Sequence, residues 1–156
     1  MILFLDTSAL VKLYIAEPGS ARMREAAGRG EPVAVSVLAF AEIHAAFARR
    51  RREELVTDPE LEQLRLDFAN DWEELKQIPV GTAVLKLVPR LCESHPLRGA
   101  DAVHLASALL LHQEGLEVLF ACSDRHLLGA AAAEGLATFN PVSEDQPLPV
   151  SGVVQS

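Results

Sequence analysis

Short apolar runs that alternate with helical segments constrain the fold of this chain more than any other feature of its sequence. Apolar residues recur at helical spacing between the runs, as in Leu61, Leu64 and Phe68. Strands that alternate with helices form a mainly parallel sheet covered by helices on both faces, so we predict a three-layer α/β/α domain. The predicted strands are residues 2–5, 32–36, 77–80, 117–121 and 136–139.

The composition changes near the carboxyl end. Residues 1–141 carry the alternating pattern, and a length of 156 residues suits one domain. Residues 142–156 are rich in proline and polar side chains, which bury too little apolar surface to offset the entropy of ordering them. We therefore predict one domain over residues 1–141 and a flexible tail over residues 142–156.

Charge and cysteine content exclude several classes of protein. The 14 basic and 22 acidic residues give a net charge of −8, which repels nucleic acid unless positive charge is gathered on one face. Two cysteines are too few for a disulfide framework. The first residues are apolar but lack a basic leader, and no apolar stretch approaches the ~20 residues of a membrane span. We predict a cytoplasmic protein with no membrane contact.

Four acidic residues are predicted to meet at one edge of the sheet. Asp6 directly follows the first strand, and Asp124 follows the fourth. Glu42 lies about two turns into the helix after the second strand, and Asp101 lies in the first turn of an Ala- and Leu-rich helix. Because ligands of parallel sheets bind outside the carboxyl ends of the strands, these four acids are the candidate site.

Carboxylates held together in a partly dry cleft repel one another, so a divalent cation is the natural occupant of their centre. Oxygen ligands of this kind select Mg²⁺ or Mn²⁺, and a cation that keeps some water can activate it against a phosphodiester. The pattern therefore predicts metal-dependent phosphoryl chemistry.

A purely local role is the alternative for each acid. Asp101 suits the positive end of a helix dipole, Asp124 suits a helix cap, and Glu42 suits a solvated helix face. Asp6 can also cap a helix. We favour a single site because four independent coincidences at one edge are harder to explain.

The segments that carry these acids resemble a known family. They are Leu5–Val11, Ala41–Ile43, Leu97–Ala106, Ser123–Leu127 and Phe139–Pro141. In this order they resemble a PIN-domain ribonuclease, most closely the VapC-type toxins of bacterial toxin-antitoxin pairs. The resemblance runs from Met1 to about Pro141, and residues 98–106 are its most specific part.

The resemblance implies an endoribonuclease that cleaves single-stranded RNA with Mg²⁺ or Mn²⁺ and acts as a toxin. It implies an antitoxin protein that covers the acidic cleft, and a homodimer of the toxin. The residues that match the family's metal-binding acids are Asp6, Glu42, Asp101 and Asp124, with Ser8 in support of the first. The sequence departs from the family at Cys122, where Thr or Ser often precedes the last acid by two residues, and the neighbouring Ser123 is a possible substitute.

Three other functions compete with this interpretation. A PIN nuclease of RNA processing or decay has the same chemistry without an antitoxin. A phosphoacceptor signalling domain needs an acid pair after the first strand and a late lysine, whereas Asp6 stands alone and no lysine follows Lys86. A binding module would use the acids to dock a basic peptide, and activity with Mg²⁺ or Mn²⁺ would exclude it.

The basic residues leave two alternatives open. The run Arg49–Arg52 suits RNA backbone, but it equally suits the negative end of a helix. Lys12, Arg98 and Arg125 lie near the acids in sequence and suit either a phosphate or charge balance. Among the five histidines we predict no catalytic one, although His104 lies one turn after Asp101.

Overall fold

A five-stranded, wholly parallel sheet forms the centre of the computed structural model, which describes residues 1–150. The strand order is β3-β2-β1-β4-β5, so β1 lies in the middle. The strands are β1 (Ile2–Leu5), β2 (Val33–Ser36), β3 (Lys76–Ile78), β4 (Val118–Ala121) and β5 (Ala137–Phe139).

Seven helices lie in the described part of the chain. They are α1 (Thr7–Val11), α2 (Ser20–Ala27), α3 (Leu38–Arg52), α4 (Asp58–Trp72), α5 (Thr82–Ser94), α6 (Gly99–Gln113) and α7 (Arg125–Ala133). Helices α1 to α4 pack on one face of the sheet and α5 to α7 pack on the other, which confirms the predicted three-layer α/β/α fold.

The unbroken apolar character of β1 follows from this layering. Successive side chains of a strand point to opposite faces, so Ile2 and Phe4 enter the core beside α5 to α7. Leu3 and Leu5 enter the core beside α1 to α4. All four side chains are buried, because a central parallel strand has no face toward water.

The strand register aligns the ends of the three central strands. Leu5 pairs with Val35 of β2 and with Ala121 of β4. The chain therefore leaves all three strands at the same edge, and it enters α1, α3 and α7 from there. This is the edge where the sequence predicted the candidate acids.

Two helix ends have distinct local structure. The first helix ends at Val11, where the chain continues into a turn. Thr57 caps α4: its side chain accepts from the amide of Glu60, and the Glu60 side chain accepts in return from the amide of Thr57.

The segment after Pro141 contacts the domain. Gln146 donates from its side chain to the carbonyl of Thr138 at 2.6 Å and accepts from the amide of Asn140 at 2.9 Å. Leu148 packs against the core beside α1 to α4, and Arg22 donates to the carbonyl of Ser143. The predicted flexibility of residues 142–156 stays a prediction, and residues 151–156 lie outside the described residues.

We find no helix within residues 1–150 that is long and apolar enough to cross a membrane.

Candidate active site

Asp6 stands at the corner between β1 and α1. It caps α1: its Oδ1 accepts from the amide of Ala9 at 3.0 Å and from Oγ of Ser8 at 2.7 Å. Only 5 % of the residue is exposed, and in the described chain no basic side chain forms an ion pair with it. Burial raises the pKa of Asp6 above its ordinary value, although the bonds from Ser8 and Ala9 oppose the shift.

Glu42 reaches the same corner from α3. Its Oε1 accepts from Oγ1 of Thr7 at 2.8 Å and lies 2.5 Å from Nε2 of His104 on α6. The hydrogen bond from His104 is the main cause that lowers the pKa of Glu42, and partial burial opposes it. Glu42 is therefore the readily ionised acid of the pair, and Asp6 is the acid whose charge is costly.

His104 and Thr7 contact Glu42, and the sequence did not identify either contact. His104 is 2 % exposed, and its Nε2 also lies 3.4 Å from Oγ1 of Thr7. Its spacing of three residues from Asp101 was the one available signal, since residues three apart share a helix face. The partner of His104 is 62 positions away in sequence, so no local pattern could reveal it.

Ser8 connects this corner to the one after β4. Its Oγ donates to Asp6, as described above, and accepts from the amide of Ser123 at 3.1 Å. Its hydroxyl thus orients the Asp6 carboxylate, and a supporting role of Ser8 at a metal stays a prediction.

Asp124 caps α7. Its Oδ1 accepts from the amides of His126 at 2.8 Å and Leu127 at 3.1 Å, so the local role considered for this acid is present in the structure. The Asp124 amide lies 3.2 Å from Sγ of Cys122. The thiol of Cys122, and not the hydroxyl of Ser123, therefore makes the polar contact to Asp124. Burial raises the pKa of Cys122 above its ordinary value, which keeps the thiol protonated.

Asp101 lies in the first turn of α6 and is partly buried. Within residues 1–150, it forms no ion pair with a basic side chain. The structure thus links Asp6 through Ser8 to the Ser123 amide across the two corners and links Glu42 to Thr7 beside Asp6. Asp124 bonds its own helix start, and Asp101 lies one helical turn before His104.

The donors at this edge match a hard divalent cation in type. They are carboxylate and hydroxyl oxygens, and within residues 1–150 the buried carboxylate of Asp6 forms no ion pair with a basic side chain. Across residues 1–150, no three His, Cys, Asp or Glu side chains lie close enough together to hold a metal ion. Binding of a metal by all four acids stays a prediction.

Comparison with known proteins gives the family. The model of the PIN domain matches residues 3–133, which include all four candidate acids and most of the chain. The chain belongs to the PIN-domain family. This confirms the resemblance that the sequence motifs indicated.

Relatives of this PIN domain include ribonucleases of Mycobacterium tuberculosis. Ribonuclease VapC49 of strain H37Rv is 38% identical over 86% of this chain and 92% of its own length. Ribonuclease VapC47 of strain CDC 1551 is 30% identical over 90% of this chain and 97% of its own length. The similarity thus extends over nearly the whole of each protein.

Solved structures share the fold. FitAcB from Neisseria gonorrhoeae has a TM-score of 0.64 at 19% identity and covers 90% of this chain and 98% of its own. VapBC2 from Rickettsia felis, bound to a DNA fragment from its promoter, has a TM-score of 0.62 at 13% identity over 90% of this chain and 98% of its own. At these identities the likeness concerns the PIN fold alone.

Proposed function

We propose that this PIN domain is a metal-dependent endoribonuclease that hydrolyses single-stranded RNA and acts as the toxin of a toxin-antitoxin pair. The observation that carries the proposal is the buried Asp6 carboxylate beside Glu42 at the carboxyl edge of the sheet. A buried carboxylate without a cationic partner is costly for a fold to maintain. The ribonuclease relatives support RNA as the substrate.

The residues proposed to hold Mg²⁺ or Mn²⁺ are Asp6, Glu42, Asp101 and Asp124. A bound cation of this kind supplies a water of lowered pKa and charge stabilisation for phosphodiester hydrolysis. Oδ1 of Asp6 and Oε1 of Glu42 both accept hydrogen bonds. Their other carboxylate oxygens are the ones proposed as ligands.

The neighbouring side chains of this chain orient the acids. Ser8 fixes the Asp6 carboxylate through Oδ1, and Thr7 and His104 fix the Glu42 carboxylate through Oε1. Removing a hydrogen bond that orients a metal-binding side chain commonly lowers metal affinity or activity by about 10- to 100-fold. The same bonds keep Glu42 ionised, which is the form that attracts a cation.

The test is cleavage of single-stranded RNA by the purified protein with Mg²⁺ or Mn²⁺, with EDTA, and with metal restored. We expect cleavage that EDTA stops and that either metal restores. The Asp6→Asn variant, purified in the same way, controls for a contaminating nuclease. Cleavage that persists through exhaustive chelation would contradict the metal mechanism, and equal activity of the variant would contradict the site.

The partners are part of the proposal. A toxin-antitoxin complex from Klebsiella pneumoniae is similar in structure, which supports an antitoxin for this chain. We also propose a homodimer that acts in the cytoplasm. Co-expression with the product of the adjacent gene should suppress toxicity and give a co-purifying complex. Cleavage without such a partner would favour the alternative of an RNA-processing nuclease.

A further inference from the structure

A groove of about 540 Å³ leads away from the candidate site along α3. Ser8 and Glu42 line one end, and Arg49 and Arg52 line the other. The lining residues of α3 recur every three or four positions, so they form one face of the helix. The small side chains of Ala45 and Ala46 lie between the acid and the arginines, which leaves the groove open.

The structure divides the run of four arginines into two pairs. Arg50 donates to Oε2 of Glu17 at 3.0 Å, and Arg51 bonds Oδ1 of Asp58 at 2.5 Å. Arg49 and Arg52 line the groove, both are exposed, and neither forms an ion pair with an acid of the described chain. Two of the four guanidinium groups therefore remain available to a ligand.

The second acid that lines the groove, besides Glu42, adds no excess negative charge. It is Glu17, whose carboxylate accepts from Nζ of Lys12 at 2.7 Å and from Arg50 at 3.0 Å. Two cations thus balance Glu17, and its charge does not cancel that of Arg49 and Arg52. In a chain with a net charge of −8, this is the local gathering of positive charge that binding of nucleic acid requires.

We propose that this groove binds the phosphates of the RNA strand on one side of the cleaved bond, with Arg49 and Arg52 as the phosphate ligands. The proposal rests on the proposed RNA substrate. At 1.5 Å rise per residue, Arg49 lies about 10 Å along α3 from Glu42, and Arg52 about 5 Å further, so the contacts fall outside the reacting phosphate. Guanidinium groups suit phosphate because they can donate two hydrogen bonds at once.

Contacts between arginine and phosphate have two measurable consequences. Phosphate contacts position a strand but do not select its bases, so Arg49 and Arg52 should affect all RNA sequences alike. These contacts should also release counterions from the RNA. For a single strand, each phosphate contact should then contribute about 0.7 to the slope with which log affinity falls as log salt concentration rises.

The experiment measures binding of a fluorescent single-stranded RNA to Asp6→Asn protein, which leaves the probe uncut. Arg49→Gln and Arg52→Gln are made in this background, and the matched control is Arg51→Gln, which removes the same charge from the same helix. We expect each groove variant to raise the Kd about tenfold at low salt and to reduce the salt slope by about 0.7, while the control leaves both unchanged. In the active protein the loss should appear in KM more than in kcat. Melting temperatures verify that all three variants fold.

The outcomes separate this inference from the proposed function. If wild type cleaves RNA but the groove variants bind it like Arg51→Gln, the groove inference is wrong and the proposed function stands. If they lose affinity only for an acidic partner protein, the groove is a protein site and the inference is wrong. If wild type cleaves no RNA while the groove variants still lower RNA affinity and salt slope, the groove inference stands and the proposed chemistry fails.

Discussion

The corners after β1 and β4 are built alike but differ in burial. Asp6 and Asp124 each follow a central strand, and each accepts hydrogen bonds from the helix that begins there. Asp6 is buried, has a raised pKa, and its neighbour Thr7 bonds Glu42. Asp124 is only partly buried, and its carboxylate bonds are those of a helix cap. The two acids therefore share the capping role and differ in burial, which makes the charge of Asp6 the costlier one to maintain.

The largest expected contrast between the corners is in catalysis. Asp6→Asn should lower RNA cleavage by at least about 100-fold, because a neutral amide keeps the cap but weakens binding of a hard cation. Asp124→Asn should cost about tenfold. Initial rates of RNA cleavage at saturating Mg²⁺ measure both. Equal losses would show that the two corners contribute alike and would remove the contrast.

The next largest contrast between the two corners is expected in how much bound metal stabilises variants of their acids. A cation at a hundredfold excess over its Kd stabilises the folded form by about 2.7 kcal/mol, or about 5 to 10 °C in Tm at this chain length. Asp6→Asn and Asp101→Asn should lose most of this gain, and Asp124→Asn should keep more than half. Melting curves across a Mg²⁺ or Mn²⁺ titration, with EDTA as the baseline, check the order. An equal rise in wild type and Asp101→Asn would make Asp101 a structural residue of the helix start.

Without metal, pH should reveal the cost of burying Asp6. The Asp6 carboxyl binds its proton more tightly in the folded protein than in the unfolded chain. Wild type therefore loses stability as the pH rises from the unfolded pKa of Asp6, near 3.8, to its raised pKa in the folded protein. The free-energy advantage of Asp6→Asn should therefore be absent at the lowest pH and grow by at most about 1.4 kcal/mol per pH unit within that window. Urea unfolding of both proteins in EDTA from acid to neutral pH measures it. Parallel stability curves would mean that burial of Asp6 carries no such cost.

The helix cap that Asp124 forms after β4 should contribute modestly to the free energy of unfolding. Asp124→Ala removes the acceptor for the amides of His126 and Leu127 and should cost about 1 kcal/mol, or about 2 to 4 °C in Tm. Asn is a good capping residue, so Asp124→Asn is the matched control and should cost much less. A loss of several kcal/mol in both variants would mean that the charge of Asp124 stabilises more than the helix start.

The smallest effect is expected at Cys122. Cys122→Ser replaces a buried thiol by a hydroxyl that can accept the same bond from the Asp124 amide, so stability should change by less than about 1 kcal/mol. Cleavage should stay within a few-fold of wild type. Thermal melts and initial rates test this, and a large gain in activity would show that the thiol impairs the second corner.

The fold was predictable because its signals are local. Four-residue apolar runs such as Ile2–Leu5 indicate strands buried on both faces, and Leu61, Leu64 and Phe68 mark a helix by their spacing alone. The edge of the sheet that carries the acids follows from parallel topology. The end of α1 was not predictable to the residue, because the turn that follows it depends on packing.

For the candidate site, the sequence indicated the edge of the sheet but not the contacts of each acid. The positions of Asp6 and Asp124 after strands indicated both residues as candidates, and no local feature showed which of the two is buried. The partners of Glu42 belong to other elements: Thr7 is 35 positions away and His104 is 62 positions away. A sequence pattern extends over a few turns, so it cannot identify such contacts.

The sequence by itself determined the alternation of strands and helices, the edge at which the chain presents its acids, and the set of basic residues. Only the tertiary structure decided which acid is buried, and which arginines of α3 form ion pairs. Arg50 and Arg51 differ from Arg49 and Arg52 because α3 turns them toward Glu17 and Asp58, acids contributed by other segments. Propensity and periodicity act between near neighbours, whereas burial and ion pairing arise between segments that folding brings together.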